Sequence, residues 1–151
     1  MTDNHTPEQR SVNMARIRSS GTTPEERLYQ AVRTVLGYRW RIDRNVKAMP
    51  GCPDVVIPSL RLVIFADGCF FHGCPKHYRA PLSNTEYWTP KIAGNIARDT
   101  VQLATLEADG WSVWRLWEHE LTKTALPETQ AALRYKLDEL SREHRRLRSR
   151  L

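Results

Sequence analysis

The stretch DVVIPSLRLVIFAD, residues 54–67, contains two apolar runs separated by Pro58 and Ser59. Short apolar runs bounded by turn residues are typical of β-strands, and proline and serine are common in turns. The pattern therefore predicts a β-hairpin. Its second strand, residues 60–67, is strongly apolar, and we expect it in the centre of a sheet.

Three helices are predicted around this hairpin. The first begins at Thr23, a residue type that caps helices well, and stops before Gly37. The second starts at Pro90 and runs to about residue 109, and the third covers roughly residues 127–148 and packs on the domain. Four residues should mark the buried face of the second helix: Ile92, Ile96, Leu103 and Leu106.

Two more strands are predicted, at residues 38–42, where apolar and basic residues alternate, and at residues 111–117. The element order is then α-β-β-β-α-β, which is the core of the restriction-endonuclease-like nucleases of PD-(D/E)XK type. We expect this mixed α/β fold. Order alone is weak evidence, because several α/β folds share it.

The bulk properties fit a polyanionic partner, with ordinary solvation of a charged surface as the alternative. The chain has 151 residues, the size of one domain, with a net charge of +6 and a pI of about 9.5. A basic balance favours nucleic acid first and an anionic membrane surface second. No apolar run approaches the ~20 residues that cross a bilayer, and the polar N-terminus lacks a signal-peptide core. We therefore expect a cytoplasmic protein.

Candidate catalytic residues stand at the two ends of the hairpin. Asp54 opens the first strand, and Ala66 and Asp67 close the second. If the strands are neighbours, these ends lie together. A carboxylate and a second oxygen donor can hold Mg²⁺, which polarises phosphate and activates water. The alternative is that Asp54 only caps a turn.

A metal site is predicted in the loop GCFFHGCPKH, residues 68–77. Cys69, Cys74 and His77 have the spacing C-x4-C-x2-H, and His119 follows the last strand. In a reducing compartment clustered cysteines favour metal or catalysis, and an odd total of three weakens a disulfide framework. Two cysteines and two histidines suit a structural Zn²⁺ site. The alternative is buried thiols with surface histidines.

The same loop contains a third histidine and two adjacent aromatic residues. His72 could be a competing ligand or an acid–base group. Phe70 and Phe71 are consecutive, so a loop cannot easily direct both into one core. Exposed aromatics in a basic nuclease can stack on bases or wedge between them. The alternative is that one ring packs over the zinc site.

Together these motifs resemble one family, the very-short-patch repair (Vsr) endonucleases, which nick DNA at T:G mismatches. The resemblance runs from about Arg10 to Leu121. It rests on RSVNMARIRSSGTTPEERL, PGCPDVVI, VIFADGCFFHGCPKH, TEYWTPKIAGNIARD and GWSVWRLWEHEL. The combination is specific, although no single segment would suffice.

The resemblance implies a restriction-endonuclease-like fold with structural zinc, and Mg²⁺-dependent nicking on the 5′ side of the mismatched thymine. Asp54 and the main-chain carbonyl of Ala66 would bind Mg²⁺. His72 would align or deprotonate the attacking water, and Glu25 would organise metal-bound water. Asp67 stands where some members carry an active-site histidine, and it could contact the metal directly or through water.

The resemblance also implies DNA contacts. Phe70 and Phe71 would form a wedge that enters beside the mismatch. Met14, on the N-terminal helix, would insert from the opposite groove. A second set recurs at helical spacing and would lie near the DNA or the active site, with a solvated helix face as the alternative: Lys91, Asn95 and Arg98.

Besides Asp67, three positions depart from the family pattern. Phe71 replaces a common tryptophan, Cys52 stands where arginine is frequent, and His119 replaces the cysteine ligand of some members. The first two keep open a nuclease of the same fold with another DNA target, as in host defence. A zinc-stabilised DNA-binding module without catalysis is a further alternative, but the retained catalytic set argues against it.

The expectation is a single endonuclease domain. Residues 1–21 would form a DNA-clasping helix, residues 22–121 the catalytic core, and residues 122–151 a basic C-terminal helix. The expected partner is double-stranded DNA with a T:G mismatch, and a mismatch-repair protein is a further candidate. We expect a monomer, associated with the nucleoid rather than a membrane.

Overall fold

A computed structural model describes residues 6–9 and 23–151. Residues 7–9 are helical, in line with the start of the predicted N-terminal helix. The remainder of that helix, with Met14, lies outside the described residues. Within the described ranges, no helix has the length and apolar composition to span a membrane.

From residue 23 onward the chain forms a mixed α/β domain. The helices are α1 (Thr23–Leu36), α2 (Thr85–Ala108) and α3 (Leu126–Ser149). The strands are β1 (Asp43–Arg44), β2 (Val55–Ile57), β3 (Leu62–Asp67) and β4 (Ser112–Trp117). Single 3-10 turns follow β2 and β4, at Pro58–Leu60 and Glu118–Leu121.

The four strands form one sheet in the order β1-β2-β3-β4. The predicted hairpin is confirmed: β2 and β3 are antiparallel, and Arg61 turns the chain between them in the left-handed conformation. β3 is central, and five of its six residues are buried. β4 runs parallel to β3, so that Phe65 pairs with Arg115 and Asp67 with Trp117.

Alternating side chains of the sheet divide the core into two layers. Leu62 and Ile64 pack with leucines of α1 and α3 on one face. Val63 and Phe65 pack with Leu106 of α2 on the other face. By the same alternation Asp67 lies on the α2 face. The end of the central strand therefore presents a carboxylate towards α2.

The predicted strand at residues 38–42 is wrong. Pairing in this region is confined to Asp43 and Arg44. The Arg33 guanidinium donates to the carbonyl oxygens of Gly37 and Trp40, and these bonds hold the segment against the end of α1 instead of in the sheet. Alternating polarity thus predicted a strand where hydrogen bonds from the Arg33 side chain decide the backbone path.

The helix limits also differ from the prediction. α2 begins five residues before Pro90, which lies inside the helix. Pro90 removes one hydrogen bond near the first turn, a loss that the remaining turns outweigh. Ile92 and Leu106 are buried as predicted, but Ile96 is 44% exposed because it packs on Gly73 in the loop rather than on the sheet. α3 agrees with the prediction and packs through Leu133.

Candidate active site

The two ends of the hairpin meet, as the sequence predicts. The backbone N–H of Ala66 donates to Asp54 Oδ2 over 2.7 Å. In an extended strand the N–H and C=O of one residue point to the same edge, so the Ala66 carbonyl also lies on the Asp54 side. A carboxylate and a carbonyl oxygen are therefore offered at one place.

The surroundings of Asp54 are acidic and partly dry. The pKa of Asp54 is raised to about 6, chiefly by burial and also by the carboxylates of Glu25 and Asp67, against the lowering effect of the Ala66 N–H and the charge of Arg115. Glu25 is buried on α1. These groups line a cleft of about 280 Å³. Carboxylates that are buried close together disfavour each other's ionised form, and a bound divalent cation would offset this repulsion. Such a cluster of oxygen donors suits a hard divalent cation.

A charged network crosses the cleft from the sheet to the loop. Arg115 on β4 donates from Nε to Asp67 Oδ2 over 2.7 Å and from Nη2 to Asp67 Oδ1 over 3.2 Å. The same Nη2 lies 3.3 Å from Asp99 Oδ1. The other oxygen of Asp99 is 2.6 Å from His72 Nδ1. His72 is thus tied to helix α2, and through Arg115 to the sheet.

Cys69, Cys74, His77 and His119 converge on one point. Their ligand atoms all lie within 4.8 Å of one another. His119 Nδ1 is 3.3 Å from Cys69 Sγ, 3.7 Å from Cys74 Sγ and 3.1 Å from His77 Nδ1. His77 Nδ1 is 3.9 Å from Cys74 Sγ.

These distances match the edges of a metal tetrahedron. Usual zinc bond lengths give about 3.3 Å between two nitrogen ligands and about 3.6 Å between nitrogen and sulfur. Burial, with the neighbouring Cys74, raises the pKa of the Cys69 thiol to about 11. A divalent cation would favour the thiolates that this environment otherwise disfavours. The four residues therefore fit zinc.

Aromatic rings form a cluster beside the candidate metal site. Phe70 contacts Phe71 edge to face, with ring centroids 5.2 Å apart, and Trp88 with centroids 5.1 Å apart. Tyr78 and Tyr87 extend the cluster. Phe70 and Phe71 are both half-buried. The two phenylalanines are thus braced by α2 and remain in part accessible.

Comparison with known proteins identifies the family of the chain. A family model described as "DNA mismatch endonuclease Vsr" matches residues 2–78, which include Glu25, Asp54, His72 and both loop cysteines. The chain belongs to the Vsr family. It is therefore a DNA endonuclease, since the relatives of this family are named as mismatch endonucleases and nicking enzymes.

Three Vsr relatives cover between 78% and 91% of the chain. It is 46% identical over 143 residues to the type II nicking enzyme V.XorIIP of Xanthomonas oryzae pv. oryzae, with 91% of this chain and 98% of that protein covered. It is 42% identical over 120 residues to V.NaeI of Lentzea aerocolonigenes, covering 78% and 72%. It is 36% identical over 135 residues to the DNA mismatch endonuclease Vsr of Escherichia coli K12, with 85% of each chain covered.

Of the three polar residues predicted on α2 of this Vsr-family protein, Asn95 and Arg98 lie at the cleft and Lys91 does not line it. Asn95 donates from Nδ2 to the Phe71 carbonyl over 2.9 Å, and Arg98 contacts Asn95 over 3.4 Å. Both line the cleft. Lys91 is exposed one turn earlier on the helix. Asn95 thus fixes the backbone of the aromatic pair.

Sequence reasoning missed two residues of the Vsr-type site, Asp99 and Arg115. Asp99 follows Asn95 by one helical turn on α2, and the available signals were this i,i+4 spacing and its place at the end of the segment TEYWTPKIAGNIARD. Arg115 lies inside the segment GWSVWRLWEHEL, but its neighbours in the strand are apolar and give no sign of its partner. Only the pairing of β3 with β4 brings it to Asp67.

Proposed function

We propose that the protein is a Mg²⁺-dependent endonuclease that nicks one DNA strand on the 5′ side of the mismatched thymine in T:G mispairs. It would act as a monomer on a restriction-endonuclease-like fold with structural zinc. The observation that carries the proposal is the cleft in which the Asp54–Ala66 contact faces the His72–Asp99 pair.

The residues of the cleft would have separate roles in metal binding and proton transfer. Asp54 and the Ala66 carbonyl would hold Mg²⁺, with Glu25 beside them. When bound, Mg²⁺ polarises the phosphate and lowers the pKa of water. His72 Nδ1 is engaged by Asp99, so Nε2 is the imidazole nitrogen that can take a proton from the attacking water.

The loop would recognise the mismatch. Phe70 and Phe71 would enter the base stack, and a T:G wobble pair should be easier to unstack than a matched pair. Zinc on Cys69 and Cys74 would stiffen the loop. Because His72 belongs to the same loop, wedge and catalytic group would move as one unit.

The experiment is a cleavage panel of end-labelled duplexes in Mg²⁺, covering all mismatches in several flanking contexts and matched DNA. We expect one nick, 5′ of the thymine in T:G duplexes. Asp54→Ala should abolish nicking and keep the parent zinc content and fold, and Asp138→Ala, on the exposed surface of α3, is the matched control. Nicking by Asp54→Ala at the parent rate would contradict the catalytic assignment.

A second candidate is a nuclease of the same fold with another DNA target. The observation that favours it is Cys52, which lines the cleft at a place where the family frequently has arginine. The same panel separates the two, because this candidate predicts equal cutting of matched and T:G duplexes. A zinc-stabilised DNA-binding module would bind the duplexes and cut none.

A further inference from the structure

Arg115 of β4 contacts carboxylates on two other elements, Asp67 at the end of β3 and Asp99 on α2. We propose that Arg115 is a positioning residue, which holds Asp99 and through it His72, and that Asp67 anchors Arg115 instead of acting on the metal. This inference rests on the proposed nicking function, and it deepens the role of the His72–Asp99 pair.

The Asp99 carboxylate is fixed at both oxygens. One oxygen is 2.6 Å from His72 Nδ1 and the other is 3.3 Å from Arg115 Nη2. His72 itself lies in the irregular loop after β3, where no regular backbone ladder orients its ring. Without the guanidinium, the carboxylate could rotate and the imidazole would follow. Small displacements of a catalytic group are costly in rate.

Asp67 is placed to anchor the guanidinium. Its side chain is almost fully buried, and both of its oxygens are paired with Arg115. A two-point pair between a guanidinium and a carboxylate fixes orientation as well as distance. The guanidinium also stacks on the Phe65 ring, with its central carbon 4.3 Å from the centroid. Its plane is therefore set from two sides.

Packing alone does not account for an arginine here. Nη1 of Arg115 is buried and has no hydrogen-bond partner among the residues that the structure describes. A buried donor without a partner costs stability. The face around it contains Val113 and Phe65, which an apolar side chain would suit. The guanidinium of Arg115 thus lowers the stability of the folded protein. This is expected of a residue that is kept for a role in the site.

The test starts with Arg115→Met, which keeps the length of the side chain and removes its charge. We expect single-turnover nicking of a T:G duplex at saturating DNA to slow by about a hundredfold, with an unchanged Kd for DNA. The matched control is Arg61→Met. Arg61 also stacks on a ring, that of Trp111 at 4.6 Å, but it donates to the backbone carbonyls of Asp109 and Gly110. It should nick at the parent rate.

A double-mutant cycle tests the route through Asp99. If Arg115 acts through Asp99, the double variant Arg115→Met with Asp99→Ala is no slower than Asp99→Ala alone. Rate losses that simply multiply would overturn the proposal. A folded Arg115→Met variant that keeps the parent rate would also overturn it.

The imidazole of His72 supplies a readout that is independent of catalysis. In the magnesium-free protein, its ¹H–¹⁵N spectrum should show an Nδ1 signal that Arg115→Met shifts or broadens and Arg61→Met leaves unchanged. An unchanged His72 signal in Arg115→Met would contradict the proposal. If the parent nicks no duplex, the proposed function fails, and this spectrum still decides the role of Arg115.

Two milder variants can be tested if Arg115→Met does not fold. Arg115→Lys keeps a charge but cannot reach both carboxylates in the same geometry. Asp67→Asn weakens only the anchor. Both should slow nicking and perturb the His72 signal in the same direction as Arg115→Met, and parent behaviour of both would overturn the assignment.

Discussion

The backbone N–H of Ala66 donates to the Asp54 carboxylate over 2.7 Å, although twelve residues separate them along the chain. The contact exists because β2 and β3 pair antiparallel, so that β2 begins where β3 ends. It places an acidic group in a buried position beside two other carboxylates. These closely spaced carboxylates of the candidate Mg²⁺ site therefore lower the stability of the protein when no Mg²⁺ is bound.

Asp54→Asn should stabilise the metal-free protein at neutral pH. The pKa of Asp54 is raised from 3.8 to about 6 by burial and by its acidic neighbours. Protonated Asp54 therefore favours the folded state. This contribution to the free energy of unfolding is fully present below pH 3.8 and is lost as the pH rises through about 6. The asparagine keeps the bond from Ala66 without ionising, and we expect a gain of roughly 2 kcal/mol at neutral pH.

The measurement is thermal unfolding of both proteins at pH 4 and pH 7.5 (roughly on either side of the Asp54 titration) without Mg²⁺ or chelator. The advantage of the variant should appear only at the higher pH. Added Mg²⁺ should stabilise the parent and not Asp54→Asn. An equal difference at both pH values would show that Asp54 does not titrate as described.

Removal of one zinc ligand should release the metal. Cys74 is buried among the other ligands, so Cys74→Ser should lose nearly all bound zinc and unfold at a lower temperature. His119→Cys should retain zinc, because zinc accepts three cysteines and one histidine. Elemental analysis and thermal unfolding check both outcomes.

Cys52→Ser is the matched control for the zinc prediction. Cys52 is exposed and is not a member of the ligand group. Its variant should keep the zinc content of the parent. Zinc retained in full by Cys74→Ser would contradict the ligand set.

Removal of a wedge ring should weaken binding to mismatched DNA more than to matched DNA. Stacking of a base on an aromatic ring is worth about 1–3 kcal/mol, so Phe71→Ala should raise the Kd for a T:G duplex by about tenfold or more. Phe71→Trp should restore binding, since it offers more stacking area. Fluorescence anisotropy with both duplexes measures the difference.

Tyr135→Ala is the control for the wedge prediction. Tyr135 is a 74% exposed aromatic residue on α3. Its removal should change neither Kd. If Phe71→Ala weakens matched and mismatched duplexes equally, the ring supports general DNA binding and not mismatch recognition.

The turn before Asp54 should depend on Gly51. Gly51 has a φ of 77°, and an added Cβ would lie 2.7 Å from Gln102 Oε1 and 3.0 Å from Phe65 Cε1. Gly51→Ala should reduce the free energy of unfolding by about 1–2 kcal/mol and slow nicking, because Asp54 follows this turn.

Gly94→Ala provides the opposite case for glycine. Gly94 lies inside α2, and an added Cβ would meet nothing within 4 Å. This variant should raise the free energy of unfolding by about 0.5–1 kcal/mol. Denaturant unfolding measures the free energy of unfolding of both variants. If Gly51→Ala were more stable than the parent, the predicted backbone strain at position 51 would be wrong.

Local patterns were enough for most of the fold and for the family. The apolar runs around Pro58 predicted the hairpin. The helix that the structure has as α3 was predicted from leucines at seven-residue spacing, Leu126, Leu133, Leu140 and Leu147. Spacing of Cys69, Cys74 and His77 predicted a metal group that the fold brings together. Such features depend on side chains close in sequence or on the alternation of a strand, and both can be read without a structure.

Side-chain contacts that the local apolar pattern does not show decided the rest. Arg33 displaced the predicted strand at residues 38–42 by binding two carbonyl groups. Arg115 reached Asp67 because parallel pairing placed β4 beside β3, and Asp99 reached His72 because α2 packs over the sheet. A charged residue in an apolar strand carries no local sign of its partner. Its role arises only when pairing of distant segments removes it from water and leaves a carboxylate as the group that can neutralise it.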